Sequence, residues 1–559
     1  MQKQPSHYFL SSKALVYKKC GKYNRVNERE GFVDIFFEIT GLQVSSGLVI
    51  FRENAKSAVF LDSRYTLAAK TFIDQEKFEI LGYSMFEMLR WICCNLNEDT
   101  TLAYDPRFFS KCDIEEIQLQ LGAYKFEQVD VESKLNLEKA RKDVLIEYID
   151  ADPSANKMSA IYETIKTNNL DAYLLANPCS ISWTLDIRDF NSKYTPVVFG
   201  YLLVTKDREH VLYLDEMYND VFAPLNFQIK TRPEREIIDD LKHFSSVGID
   251  MTETASHIVG DNLVAVKNPC ILLQSIKNAI EVSGMKEAAK KDSAAIINFL
   301  YWIYNLDNQK TTELDIVEKM QYFRQQQDGF IGDSFSCIAA ADAHSAILHY
   351  SPTERSNSVI DNILLLDSGG QYNCGTTDIT RTICIKTPTA EHKKFYTLVL
   401  KGHIALAGAK FSPACTGVEL DAIARQFLLR HNVDYGHGTG HGIGYISHVH
   451  EGSVSISKNC HEPLKTGMIM SNEPGYYKDN EFGIRLENMM LVKAEADGES
   501  LVFEVMSFIP FDVKLIDEHL LTDDEKQWIK AYHEDVLREM RSRLSGNVLS
   551  WLSRLPIFK

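Results

Sequence analysis

Five side chains carry the strongest chemical signal in this sequence: Asp367, Asp378, His441, Glu473 and Glu487. They fall in LLLDSGGQYNCGTTDITRT, HGTGHGIG, SNEPGYY and FGIRLENMM. One imidazole and four carboxylates form a donor set for a pair of divalent cations. Oxygen-rich sites favour hard ions, and imidazole extends the range toward Mn, Co or Zn. Two such ions about 3.5–4 Å apart can hold and activate one water between them.

The neighbouring residues sharpen the pattern. His437 and His441 are separated by Gly-Thr-Gly, so a strand or turn suits them better than a helix. The spacing is not HExxH, and a thermolysin-like zinc site is not supported. His448 and His450 are one residue apart and would face the same way in a strand, so spacing leaves the choice between them open. Arg485 lies two residues before Glu487 and would share its face in a strand. It could hold a ligand carboxylate, hold a substrate terminus or form a structural salt bridge. An inward-facing glutamate on an apolar strand needs compensation, which a metal supplies.

These groups need rigid supports. ILLLD ends at Asp367 and ITRTICI begins after Asp378, so a hairpin through GGQYNCGTT would bring the two aspartates together. Glu473 closes the run MIMSN, and Glu487 sits in the strand-like GIRLENMMLV. Met285 to Ile303 has the spacing of a long amphipathic helix, and ELDIVEKMQYFRQQ gives a second. Thr416 and Glu419 form a capping box that opens a third, LDAIARQFLLR; Thr522 and Glu525 open a fourth in the tail. Trp528, Tyr532, Val536, Met540 and Leu544 line one face of that tail helix, which is expected to pack on the same domain, with an exposed helix at a dimer seam as the alternative. Long helices mixed with hairpins, without a βαβ rhythm, predict an α+β fold here.

Upstream, LVIF and AVFLD read as strands around a charged turn, and GYLLVTKDREHVLYLD repeats that pattern later. Both second strands end at an aspartate, Asp62 and Asp215. The echo predicts two related mixed α/β domains. A charged helix is expected near Leu135–Tyr148, and ADPSANK reads as a hinge, with Pro153 breaking any helix. The expected divisions are residues 1–152, 153–268 and 269–559.

The chain has 559 residues and a net charge of −17, which argues against a nonspecific nucleic-acid surface. Its 11 cysteines are irregularly spaced and form no disulfide framework, as expected of a reducing, cytoplasmic compartment. No run approaches the roughly 18 apolar residues of a membrane span. The first 27 residues lack acidic side chains, a composition shared by organelle transit segments and ordinary basic termini.

Taken as a set, SFSCIAAADAHSAILHY, LLLDSGGQYNCGTTDITRT, HGTGHGIG, HVHEG, SNEPGYY and FGIRLEN resemble the Xaa-Pro aminopeptidases (aminopeptidase P) of the long three-domain kind. ISWTLDIRD and the tail segments IPFDVKLID and EKQWIKAYH extend the resemblance from about residue 150 onward. It implies two creatinase-like N-terminal domains, a pita-bread catalytic domain with a C-terminal helical extension, and a homodimer. It also implies a dinuclear centre, usually Mn, with Zn or Co in some members. Asp378 and Glu487 would bridge the ions, with Asp367 on one and His441 and Glu473 on the other. His349, His437 and His450 match histidines that contact substrate and handle protons, which selects His450 over His448. Arg485 matches a residue beside the ligand carboxylates. The first domain departs from the family pattern, with ITGLQVSSG and DSRY in place of GFTGSAG-like and DGRY-like segments. Arg188-Asp189 stands where Arg-Gly is usual, and His344-Ser345 where Asn-Gly is usual.

The implied reaction is hydrolysis of the first peptide bond of peptides with proline second, by attack of a metal-bridging hydroxide with Glu473 moving the proton. That bond has no N–H, which defeats peptidases that grip the backbone there. A dipeptide-restricted prolidase is the nearest rival. A noncatalytic relative of the same fold is the rival from another class, and such relatives lack the ligands this chain keeps.

Overall fold

The computed structural model describes residues 13–19, 34–52, 55–131, 145–149, 157–215, 218, 229–306, 310–496 and 498–555. The chain divides into two compact units, Met1–Ile271 and Leu272–Lys559. The first unit bears out the repeat in the sequence. Its two six-stranded sheets have the same topology. In the first, Phe78–Gly82 pairs parallel with Ser57–Leu61, followed by Gly47–Phe51 and Lys13–Lys19 antiparallel, then Thr101–Tyr104 and Lys125–Gln128 parallel. The second repeats these senses through Lys230–Pro233, Val211–Leu214, Gly200–Thr205, Ala172–Leu175, Val247–Ile249 and Leu263–Ala265. Gly47–Phe51 with Ser57–Leu61, and Gly200–Thr205 with Val211–Leu214, are corresponding antiparallel pairs, so the echo is one of connectivity.

Two expectations need correction in this unit. Ile146–Tyr148 is a strand paired antiparallel with Ile187–Asp189, and not the end of a helix. The rest of that expected helix and most of the ADPSANK hinge lie outside the described residues.

The second unit is built from antiparallel strands wrapped by helices. The long helix Ala279–Tyr304 starts at a capping box formed by Asn278 and Glu281. The helices Glu313–Gln325, Gly417–Leu429 and Asp523–Met540 begin at the boxes Thr312/Asp315, Thr416/Glu419 and Thr522/Glu525. Each box satisfies N–H groups that a helix start leaves without partners. A further helix, Ala390–Ala407, opens at Thr389 and His392 and is absent from the sequence expectations. It runs buried through most of its length, with Phe395, Leu398, Val399, Leu400 and Ile404 in one core cluster. A helix apolar on several faces gives no amphipathic period to read. Full burial of each such side chain contributes about 1.5–3 kcal/mol.

The helices cover a six-stranded sheet ordered Lys410–Phe411, Leu501–Val505, Asn488–Ala494, Ile469–Asn472, Gly440–Gly442, Glu451–Ile456. A three-stranded sheet of Ile338–Ala341, Ile363–Ser368 and Ile379–Cys384 lies in the same unit. The tail helix packs as expected: Tyr532, Val536 and Met540 are buried in the core cluster that also holds Val399 and Ile484. Among the described residues no helix is long and apolar enough to cross a membrane.

Candidate metal centre

The hairpin foreseen between the two aspartates forms. Ile363–Ser368 pairs antiparallel with Ile379–Cys384, placing Asp367 opposite Thr380 and Ser368 opposite Ile379. Asp367 and Asp378 are both buried. His441 is the middle residue of the short Gly440–Gly442 strand. A Cβ on Gly440 would come within 2.1 Å of the Ser471 carbonyl oxygen, so glycine there lets the His441 strand close on the strand leading to Glu473. Glu473 is fixed in turn by its backbone N–H, which donates to Thr439 O at 2.8 Å. Glu487 lies between Phe482–Arg485 and Asn488–Ala494, at a break in what the sequence suggests is one strand.

Asp378, His441 and Glu487 present ligand atoms that lie within 4.8 Å of one another. His441 Nε2 is 3.4 Å from Asp378 Oδ2 and 3.5 Å from Glu473 Oε1. His441 Nδ1 lies 3.0 Å from Gly442 O, a bond that requires the proton on Nδ1. The ring therefore turns its Nε2 toward the carboxylate oxygens. Two further oxygens, Asp367 Oδ1 and Glu487 Oε1, are buried with no hydrogen-bond partner.

Arg485 does not follow Glu487 along one strand face, yet the two converge on Thr380. Thr380 Oγ1 donates to Glu487 Oε2 at 2.7 Å, and Arg485 Nε donates to Thr380 Oγ1 at 3.3 Å. Arg485 Nη2 also donates to Asp367 Oδ2 at 2.6 Å, and Nη1 to the Tyr477 hydroxyl at 2.8 Å. Tyr477 OH lies 2.8 Å from His437 Nε2, whose Nδ1 lies 2.7 Å from Gly438 O. A continuous chain thus runs from Asp367 through Arg485 and Tyr477 to His437. Tyr477 was not singled out in the sequence; its register opposite Gly483 in a hairpin is what aims it here.

His448 and His450 lie in irregular chain between the strands Gly440–Gly442 and Glu451–Ile456, and not in a strand. His448 Nδ1 lies 2.8 Å from His450 O and 3.0 Å from His450 N, so His448 braces its own loop. The exposed His450 stands edge-on to His441, ring centroids 4.2 Å apart. His349 is half-buried in a turn closed by Tyr350 N–H to Ile347 O at 3.1 Å. Tyr350 is anchored through its hydroxyl to Glu313 Oε2 at 2.6 Å.

The electrostatics point one way. Burial, then the charges of Asp367 and Glu473, push the Asp378 carboxyl well above its usual range. Burial, then Asp378, Glu473 and Asp367, do the same to Glu487. Carboxylates this close and this dry cannot all ionise without cations between them. The inward-facing imidazole nitrogen, the orphaned oxygens and the clustered acids fit divalent metal.

The chain matches the family model described as Metallopeptidase family M24 over residues 283–494. A Creatinase/Prolidase N-terminal domain matches residues 144–281, and the C-terminal region of peptidase_M24 matches 499–555. A probable Xaa-Pro aminopeptidase P from Laccaria bicolor is 32% identical over 559 residues, covering 92% of this chain and 86% of the relative. The chain belongs to the aminopeptidase P branch of metallopeptidase family M24. Xaa-Pro aminopeptidase 1 of Dictyostelium discoideum is 30% identical, with 89% of this chain and 86% of that one covered. An X-prolyl aminopeptidase structure from Caenorhabditis elegans, described as a cytosolic enzyme with a dinuclear active site, aligns at TM-score 0.87 and 25% identity. It covers 97% of this chain and 94% of its own. The X-Pro aminopeptidase structure from Thermotoga maritima shares the fold over 64% of this chain, at TM-score 0.53 and 23% identity.

Behind the cluster, this aminopeptidase P relative carries braces that the sequence reading missed. Arg381 is fully buried and donates to Glu487 O at 2.6 Å, Asn488 Oδ1 at 2.8 Å and the Tyr532 hydroxyl of the tail helix at 3.0 Å. An arginine inside the apolar run ITRTICI was the available signal. Burial pushes the His403 imidazole down to about 3, so it is neutral at physiological pH. Its Nδ1 lies 3.3 Å from Leu486 O, and its backbone carbonyl accepts from Asn472 Nδ2 at 3.0 Å. His403 therefore ties the segment before Glu487 to the residue before Glu473.

Proposed function

We propose that this chain is a metal-dependent aminopeptidase that hydrolyses the first peptide bond of peptides with proline at the second position. One observation carries the reading: a buried cluster of acids with orphaned oxygens faces His441 Nε2, while Nδ1 of the same ring is taken up by Gly442 O. In this reading Asp367, Asp378, His441, Glu473 and Glu487 would hold two divalent ions, Mn first, with Zn and Co as alternatives. When bound, such a pair supplies a Lewis acid for the scissile carbonyl and lowers the pKa of water beside it.

The remaining work falls to side chains. Glu473, half-buried at the cluster, accepts the proton of the attacking water and delivers it to the proline nitrogen, which leaves as a secondary amine. His450, exposed beside His441, donates to the carbonyl oxygen as charge develops on it. Arg485 neutralises and orients Asp367, and through Tyr477 it holds His437 to orient the substrate. His349 orients it from a separate turn. The same reading takes in the domain divisions 1–152, 153–268 and 269–559, a homodimer and a cytoplasmic location. The matching topology of the two N-terminal sheets supports the first of these.

The test is release of arginine from an Arg-Pro-Pro peptide by protein reconstituted with Mn. No release by metal-loaded protein from several Xaa-Pro peptides refutes the activity. Cleavage of the Xaa-Pro dipeptide but not of the tripeptide would instead support the prolidase.

A further inference from the structure

Lys277 and Glu451 form an ion pair deep in the second unit, with side chains 1% and 5% exposed. Lys277 Nζ donates to Glu451 Oε2 and, at 3.3 Å, to Ser275 O. Withdrawing two charges from water costs several kcal/mol each, and a well-packed apolar pair is often as stable. Stability alone therefore does not account for the pair, but what it joins does.

Lys277 is fixed from two sides. Its backbone N–H donates to Gly467 O at 2.9 Å, and Ile276 bridges Met468 just before the Ile469–Asn472 strand that leads to Glu473. The next residue, Asn278, caps the long helix Ala279–Tyr304. Glu451 is the residue after His450, and its register partner is Gly442, the residue after His441. Its second oxygen lies over Gly444, where a Cβ would stand 3.2 Å from it. A buried ammonium on a rigid segment therefore holds the carboxylate whose backbone leads directly out of His450.

We propose that Lys277 is a positioning residue for His450, acting through Glu451. Without the ammonium, the Glu451 carboxylate turns toward water and takes the His450 turn with it. The exposed imidazole then loses its seat beside His441. The catalytic side of this inference rests on the role given to His450 in the proposed aminopeptidase; the structural side does not.

The test compares full-length Lys277→Met, Lys277→Arg, His450→Ala and Lys277→Met/His450→Ala with wild type. Each is loaded with Mn and assayed on Arg-Pro-Pro. Lys277→Met should lower kcat about 100-fold, the cost of roughly 1 Å of misplacement, with metal content and KM little changed. Lys277→Arg should restore most of that activity. In the His450→Ala background the Lys277→Met change should cost nothing further, because both act on one step. A crystal structure of Lys277→Met should show the His450 ring displaced from His441. Wild-type kcat in Lys277→Met, equal losses in both backgrounds, or an unmoved His450 ring would each overturn the proposal. Should Lys277→Met fail to fold, Glu451→Gln keeps the shape while removing the charge and is expected to act in the same direction in the same cycle. If wild type itself cleaves no Xaa-Pro peptide, the function reading fails, and the ring position still decides the positioning claim.

Discussion

Asp292 offers the sharpest energetic test of how the two aspartates are held apart. It sits on the long helix Ala279–Tyr304 with no exposure, paired to Arg324 at 2.7 and 3.2 Å. The same carboxylate accepts from Thr377 Oγ1 at 2.8 Å and Tyr372 OH at 3.0 Å, while Arg324 Nη2 donates to Ser368 Oγ at 3.1 Å. Ser368 follows Asp367 and Thr377 precedes Asp378, so one buried hub grips the chain beside each ligand. Asp292→Ala leaves the Arg324 guanidinium only the longer pair to Asp333 at 3.8 Å, and breaking a buried pair from one side costs about 3–5 kcal/mol. The stranded Tyr372 hydroxyl would add about 1–3 kcal/mol in isolation. Thr377 keeps a weaker acceptor, Gly370 O at 3.4 Å. These losses overlap, so the expected total is about 4 kcal/mol, dominated by the ion pair. At roughly 2–4 °C per kcal/mol for a large domain, the melting temperature should fall by about 8–16 °C. Metal affinity should fall about 10–100-fold, as it does when groups that orient ligands are removed. Urea denaturation of metal-stripped protein and calorimetric Mn titration measure the two effects. The double change Asp292→Leu/Arg324→Met separates them. It should restore stability, because an apolar pair replaces the ions, but not metal affinity, because Ser368 and Thr377 remain unheld. A loss below about 0.5 kcal/mol in Asp292→Ala, within the range of an ordinary surface change, would refute this reasoning. So would full Mn affinity in the double variant.

Four further outcomes follow from the same geometry. Gly440→Ala drives a methyl group against the Ser471 carbonyl and should cost at least about 1–3 kcal/mol with loss of metal binding, read by urea denaturation and metal content. In metal-stripped protein, Asp378 and Glu487 keep protons that the unfolded chain has released, so stability should fall as pH rises from their ordinary values of 3.8 and 4.5 toward the raised native ones. Bound Mn requires both groups ionised, so the gain in melting temperature on adding it should be larger at neutral pH than in mild acid, with protons released on titration. Tyr477→Phe severs Arg485 from His437 and should lower kcat/KM by about tenfold or more, the equivalent of losing a buried hydroxyl partner; unchanged kcat/KM would count against the chain of contacts from Asp367.

What could be read in advance, and what could not, follows from sequence distance. The candidate ligands were legible because they lie on short hairpins, where alternation and glycines betray the strand and its turn. Asp367 and Asp378 are eleven positions apart, and their strands pair in the register the apolar runs suggest. The capping boxes at Thr416 and Thr522 were legible for a similar reason, since the whole motif spans four residues. The Ala390–Ala407 helix was not, because burial on several faces erases its period. Spacing left His448 and His450 undecided because their placement is set by contacts of the His448 ring with the His450 backbone, which a one-residue interval does not reveal. The residues behind the cluster were out of reach for a deeper reason. Lys277 meets Glu451 across 174 positions, and Arg381 meets Tyr532 across 151. Nothing local distinguishes Lys277 from a surface lysine, or Asp292 from a helix-surface acid. A buried charge is costly wherever it sits, so each such pair persists only where the fold brings its partner to it. Three such pairs, Arg485–Asp367, Arg324–Asp292 and Lys277–Glu451, grip the segments carrying Asp367, Asp378 and His450, and the buried Arg381 grips Glu487 O. That convergence is the physical reason to expect that the rigidity of this unit is concentrated around its metal ligands, and that substitutions at Asp292, Arg381 or Lys277 will disturb the site before they unfold the chain.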